Sequence, residues 1–194
     1  MARLLSNLAI QERRAGNLQG SLRMNEESLA IRREIGDKTN GAISLNNIGN
    51  VLLDMGNLAS ASEHYQESAG LSREIGDRRG LARALFNQAE SLRLQGKLAR
   101  ARETGGEALA IRKTIDDPAG VATSTFGVGL VVALQGDLAE GRRMLGEAQA
   151  MDRKLDRRRP MAYSMYNLAE IALVQGDLAA ARRQHQEALT SVRR

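Results

Sequence analysis

The sequence predicts an all-α fold, an α-solenoid of five antiparallel helical hairpins, and three observations carry that expectation. The step Gly-x-Leu returns at Gly16/Leu18, Gly56/Leu58, Gly96/Leu98, Gly136/Leu138 and Gly176/Leu178, a spacing of 40 residues with no insertion or deletion. Columns of small residues keep the same spacing on both sides of that step. Each unit holds two segments of helical apolar periodicity separated by the glycine. A unit of this size cannot bury its apolar face alone, so copies at a fixed period are expected to stack on one another. The units fall at approximately 1–36, 37–76, 77–116, 117–156 and 157–194, read as a single array over 1–194. The array opens at residue 2 already inside a first helix and stops at Arg194 inside a second, which predicts a fragment of a longer polypeptide.

The first unit carries Leu8 and Ala9 in its first helix, breaks at Gly16, caps its second helix with Asn17, and places Ser21 and Ser28 two turns apart before ending at Ile35-Gly36-Asp37. An Asn or Asp side chain at such a start accepts an orphan N–H of the first turn, and a glycine past the end suits the left-handed cap. The second unit repeats the scheme with Ile48, Gly49 and Leu52, the cap Asn57, the small residues Ala61 and Ser68, and the end Ile75-Gly76-Asp77. In the third, Ala89 and Leu92 precede Gly96, but Lys97 stands where the cap belongs; Ala101 and Ala108 follow, ending at Ile115-Asp116-Asp117. Pro118 opens the fourth unit, where a first-turn proline costs no hydrogen bond. Val128, Gly129, Val132, Asp137, Gly141 and Ala148 then fill the repeating positions, and the unit closes at Leu155-Asp156-Arg157. The fifth has Pro160, Leu168, Ala169, Asp177, Ala181 and Ala188. Small residues at fixed places let two helices approach closely, and the large apolar columns between them are core positions.

Composition narrows the function. The absence of cysteine excludes disulfides and thiolate metal sites. The N-terminus has no basic segment followed by an apolar run, and the longest nearly apolar stretch, Phe126 to Leu134, is far short of a membrane span. A cytoplasmic chain with no membrane partner is expected. Arginine outnumbers lysine 24 to 4, as in proteins of GC-rich bacteria, yet the net charge of +5 is modest and the basic residues interleave with 23 acids. That pattern argues against a nucleic-acid partner. The alternative function, a basic nucleic-acid-binding or self-associating surface, would draw on Arg157, Arg158 and Arg159 together with Lys38, Arg78 and Arg79 in equivalent turns. Solvation of those turns explains the same residues.

The hairpin with small residues at its crossing, a glycine between the helices and a small residue late in the second helix resembles the tetratricopeptide repeat. The resemblance covers essentially the whole chain. The usual period is 34 residues; the 40-residue unit here resembles the longer-helix subclass of kinesin light chains, spindle-orientation scaffolds, bacterial Rap-type regulators and regulator sensor regions. The segments from Ser44 to Asn50 and from Ser72 to Asp77 carry that likeness. The aromatic early in the first helix is replaced by Leu5, Leu45, Leu85, Thr125 and Met165, and a late aromatic survives only as Tyr65.

The resemblance implies a right-handed superhelix whose first helices line a concave, peptide-binding groove. Carried over by position, the groove takes Arg3, Ser6, Asn7 and Ile10; Ile43, Asn46, Asn47 and Asn50; Arg83, Phe86, Asn87 and Glu90; Thr123, Phe126 and Leu130; and Tyr163, Tyr166, Asn167 and Glu170. The asparagine column Asn7, Asn47, Asn87 and Asn167 is interrupted only by Gly127. An amide pairs with both the carbonyl and the N–H of an extended ligand backbone; alternatively, each bonds to a neighbouring helix and stabilises stacking. Four of the five aromatics, Phe86, Phe126, Tyr163 and Tyr166, fall in the last three units at groove positions. They either form an apolar half-groove or pack against the adjacent first helix. A two-carboxylate clamp would fit Asn46, Asn50 and Asn87, but Thr123 and Gly127 stand where its cations belong, so no grip on a C-terminal carboxylate is expected. Uncapped end repeats also predict that the array can pair with another copy as a homodimer.

No catalytic constellation is present. His64 and His185 lie in different repeats without carboxylate clusters at ligand spacing, and Gly105-Gly106, Gly127 and Gly129 lie within helical pattern rather than in a phosphate loop. The sequence therefore predicts a protein that is not an enzyme, has no cofactor, and binds a protein or peptide.

Overall fold

The computed structural model describes residues 1–193, and these form ten α-helices with no strand among them: α1 (Ala2–Arg14), α2 (Leu18–Glu34), α3 (Lys38–Asp54), α4 (Leu58–Glu74), α5 (Arg78–Leu94), α6 (Leu98–Thr114), α7 (Pro118–Leu134), α8 (Leu138–Lys154), α9 (Arg158–Val174) and α10 (Leu178–Arg193). They pair as five hairpins in chain order. The chain divides into two compact units, Met1–Ile111 and the part from Arg112 onward.

Helix ends follow from the turn residues. Gly36 N–H donates to Arg33 O at 3.2 Å and Asp37 N–H to Arg32 O at 2.8 Å, the paired closure in which a left-handed residue satisfies two orphan carbonyls. Gly16, Gly36, Gly56, Gly76, Gly96, Gly136 and Gly176 all have positive φ, but two turns use aspartate instead, Asp116 at φ 50° and Asp156 at φ 51°. The residue after the turn then caps the next helix. Asp37, Asp77 and Asp117 accept from the backbone N–H of Asn40, Gly80 and Gly120 at 3.1, 2.9 and 2.9 Å. The side-chain and backbone bonds from Asn40 hold the Asp37 carboxyl below its ordinary value. Asn17 accepts from Gly20 and Asp137 from Glu140, each at 3.0 Å, and Asp177 accepts from Ala180 at 2.9 Å. Asn57 occupies the corresponding cap but its side chain makes no cap bond.

In the first unit one core cluster joins Leu29 of α2, Leu45, Ile48 and Leu52 of α3, and Ala61 and Tyr65 of α4. A second cluster joins Ala69, Leu81, Ala84, Leu85 and Ala108. In the second unit Leu145, Leu168 and Ile171 form one cluster and Ala172, Ala180 and Ala181 another. Burying each large side chain contributes about 1.5–3 kcal/mol. The small columns are buried as expected, down to Ala188, which is half-buried. Leu8 departs from its column, at 45% exposed against a fully buried Ile48. Ile48 sits in a cluster built from α2 and α4, whereas no described helix precedes α1 to cover Leu8.

One buried column is ionic. Arg32 donates to Asn40 O at 2.9 Å and to Ser44 Oγ at 2.5 Å, so α2 grips the start of α3. Arg112 repeats the grip on α7 through Gly120 O and Ser124 Oγ, both at 2.9 Å. Burial lowers both guanidinium groups from their ordinary value. Asp152 occupies the same column with the opposite charge, 3.1 Å from the Arg157 guanidinium. Burial pushes its carboxyl up, with Arg157 opposing.

Candidate functional site

Two first-helix faces, one in each unit, carry the groove positions. In the first unit the residues come from α1, α3 and α5. Asn7 and Arg83 are exposed and Asn47 is half-buried, whereas Asn46 is 4% exposed. Asn87 Nδ2 donates to Asn46 Oδ1 at 3.0 Å and lies 3.5 Å from Asn50 Oδ1, tying α5 to α3. Asn50 Oδ1 also accepts from the Tyr65 hydroxyl at 2.8 Å. Tyr65 is fully buried, which pushes its hydroxyl pKa up. Asn46, Asn50 and Asn87 thus form a polar seam between α3 and α5, in which Asn87 is the residue from the asparagine column. Ser6 is buried too, with its Oγ 2.9 Å from that of Ser28. Glu90 is half-buried and pairs with Arg93 at 3.0 Å one turn along α5.

Phe86 packs with Ile111 against the second core cluster and is half-buried. Phe126 and Leu130 of α7 are half-buried and pack against the cluster that Leu145 of α8 forms with Leu168 and Ile171 of α9. The exposed aromatics are Tyr163 and Tyr166 of α9, at 66% and 51%. Their helix is apolar on its inner side, which leaves these rings on the outer one. Tyr166 stands edge-on to His185 of α10 with centroids 5.4 Å apart. His185 Nε2 lies 3.5 Å from Glu170 Oε1. Asn167 Nδ2 donates to Tyr163 O at 2.8 Å, within its own helix.

A column the sequence reading passed over organises these contacts. Asn25, Tyr65, Gly105, Leu145 and His185 are 40 residues apart on the second helices, and Ile10, Asn50, Glu90, Leu130 and Glu170 keep the same spacing on the first. Tyr65 reaches Asn50, Leu130 packs against the cluster that holds Leu145, and His185 approaches Glu170. In hairpin two the sizes are matched. A Cβ on Gly49 would fall 2.6 Å from Tyr65 Cε1, whereas hairpin one carries Ala9 with the shorter Asn25.

Three of the turn cations have acidic partners. Lys38 pairs with Glu74, Arg157 with Asp152 at 3.1 Å, and Arg158 lies 3.5 Å from Asp156. Arg157 also donates to Ala119 O at 2.6 Å and Thr123 Oγ1 at 3.1 Å. Among the described residues no group of three or more His, Asp or Glu is placed to hold a metal, and no helix is long and apolar enough to cross a membrane.

Repeated helical hairpins with polar and aromatic first-helix faces define a helical-repeat protein of the interaction class. The tetratricopeptide repeat model matches residues 1–74, 42–114 and 120–194, and the chain belongs to that family. Its fold is shared with BtubC (BKLC) from P. vanneervenii, at 20% identity and a TM-score of 0.84 over 96% of this chain and 78% of that one. A putative kinesin light chain of Podosopora anserina with nearly identical TPR-like repeats matches at 16% identity and 0.77, over 97% and 93%. A Rap protein complexed with Competence and Sporulation Factor matches at 14% and 0.86, over 98% of this chain and 53% of its own. No curated protein sequence matches the chain.

Proposed function

We propose that the chain is a non-enzymatic protein-interaction module that holds a peptide or helix of a partner protein against its first-helix faces, as a regulatory or scaffolding segment of a bacterial, cytoplasmic protein. The observation that carries this reading is the pair Tyr163 and Tyr166, large rings left outward on a first helix whose inner side is fully used by the core. Apolar bodies with polar tips in that position suit a partner surface. The exposed Asn7 and Arg83 and the half-buried Asn47 supply hydrogen-bonding groups on the equivalent face of the first unit. The Rap structure, solved with Competence and Sporulation Factor, supports a binding role for this fold. Affinity capture from lysate tests it, comparing the wild type with an Asn47→Ala, Tyr163→Ala, Tyr166→Ala variant of unchanged helicity. A protein retained only by the wild type is expected; equal retention by both removes the site from these faces.

A second reading rests on the end hairpins, where Leu4 of α1 and Leu178 and Leu189 of α10 are exposed. These surfaces would support pairing of copies, which sedimentation at rising concentration reads directly. A nucleic-acid surface is disfavoured because Lys38, Arg157 and Arg158 have acidic partners; salt-dependent retention of nucleic acid in the same capture would reverse that.

A further inference from the structure

The outer side of α9 sets an acidic group beside its two exposed rings. Tyr163, Tyr166 and Glu170 follow one another at spacings of three and four, which puts them on one helix face with the Cβ atoms of neighbouring members about 5–6 Å apart. The Glu170 side chain is 48% exposed. Asn167, on the same face, donates Nδ2 to Tyr163 O at 2.8 Å, which leaves its Oδ1 as an acceptor. Among the described residues no arginine or lysine pairs with Glu170. His185 faces it from α10, with Nε2 3.5 Å from Oε1, too long for a strong hydrogen bond. The groove positions of α7, Thr123, Phe126, Gly127 and Leu130, bring no charge. Arg159, the exposed cation on this face of α9, precedes Glu170 by three turns. That is about 16 Å along the axis, beyond the screening length of about 8 Å at physiological salt.

Charge and shape together select what this face can hold. A partner carboxylate would meet Glu170 and the negative faces of both rings. An apolar side chain would cover the rings but strip water from Glu170 without pairing it. An ammonium pairs with Glu170 only as a compact, strongly hydrated point charge. A guanidinium is more weakly hydrated, stacks its plane on a tyrosine ring and directs its fork of N–H groups at a carboxylate. It offers donors alone, and Glu170, Asn167 Oδ1 and the tyrosine oxygens accept. We propose that the face formed by Tyr163, Tyr166 and Glu170 is a subsite for an arginine side chain of the partner, because it joins two exposed rings to a carboxylate that no arginine or lysine of the chain pairs. That the arginine belongs to a bound peptide or helix rests on the first-helix reading above; the preference for a guanidinium rests on these residues alone.

Four probes test it: the N-acetyl amides of arginine, citrulline, lysine and glutamate, titrated at constant ionic strength against the full chain while isotope-labelled tyrosine rings are followed by NMR. Citrulline keeps the shape of arginine and removes its charge. Tyr65, fully buried, is the internal reference. The arginine probe is expected to shift the rings of Tyr163 and Tyr166 and leave that of Tyr65 in place. The lysine probe should be about threefold weaker and the citrulline and glutamate probes about tenfold weaker. Glu170→Gln and Tyr166→Leu should each weaken the arginine response at Tyr163 about fivefold with helicity unchanged. Equal or tighter binding of the citrulline, lysine or glutamate probe, an unchanged response in Glu170→Gln, or no shift of either ring with any probe overturns the proposal. The lysate capture described above reads the partner separately. A partner retained only by the wild type there, with no response to the arginine probe, overturns the subsite and leaves the first-helix reading standing. Binding of the arginine probe with equal capture by wild type and variant upholds the subsite and removes that reading.

Discussion

Gly49→Ala should destabilise the protein although alanine is the better helix former. Alanine in place of glycine inside a helix is favourable by about 1 kcal/mol. The new Cβ would fall 2.6, 2.8 and 2.9 Å from Cε1, Cδ1 and Cζ of Tyr65. That ring has no free end to swing aside, because it is fully buried and its hydroxyl is held by Asn50 at 2.8 Å. Overpacking of this kind costs about 1–3 kcal/mol, and contact with three ring atoms puts it at the upper end. The net loss is about 2 kcal/mol, or roughly 4–8 °C in Tm for a chain of this size. Thermal melts followed by circular dichroism measure it. The decisive arm is the Tyr65→Asn background, which reproduces the pairing of Ala9 with Asn25. There the same substitution should stabilise by about 1 kcal/mol, a reversal of sign that a double-mutant cycle reports as coupling. A neutral Gly49→Ala, or the same loss in both backgrounds, would refute the size-matching account.

Asn87→Ala should lower stability by about 1–3 kcal/mol, because it strips the buried Asn46 Oδ1 of its donor; an unchanged urea midpoint would show that the seam between α3 and α5 is not structural. Asp116→Gly should stabilise by about 0.5–1 kcal/mol in the same assay, since it places glycine at φ 50°, as the sibling turns do. Asp152→Asn should raise Tm at pH 7, with the difference closing as pH falls. The folded carboxyl titrates above its ordinary 3.8, so its favourable protonated state is fully populated below that value and is lost as pH rises through the folded pKa. A difference that instead grows toward pH 3 would contradict the assigned burial.

The period, the caps and the turns were legible in the sequence because they are local. Glycine or aspartate at a left-handed turn and a carboxylate or amide three residues before an orphan N–H need only a few consecutive residues. Which first-helix side chains stay exposed was legible only in part. One residue of helix phase rotates a side chain by about 100°, enough to turn Asn46 from the face toward α5 and to leave Asn7 outward while Ser6 is buried. Whether Phe126 is exposed depends on Leu168 and Ile171, residues about 40 positions away whose approach no local pattern encodes. The column of Asn25, Tyr65 and His185 was hidden for the opposite reason. It is regular in spacing but different in chemistry at every repeat, so aligning the units for similarity passes over the place where they differ.

The central claim is that partners meet the first-helix faces. Its most direct test is site-specific photo-crosslinking in lysate, with benzoylphenylalanine placed singly at Asn7, Asn47, Arg83 or Tyr163 on first helices and at Glu27, Glu67, Glu107 or Arg143 on second helices. All eight positions are exposed or half-buried, so each reports its own face. One partner captured repeatedly from first-helix positions and not from second-helix positions is the predicted result. Capture of that partner from the second-helix positions alone, or equally from both, would contradict the account.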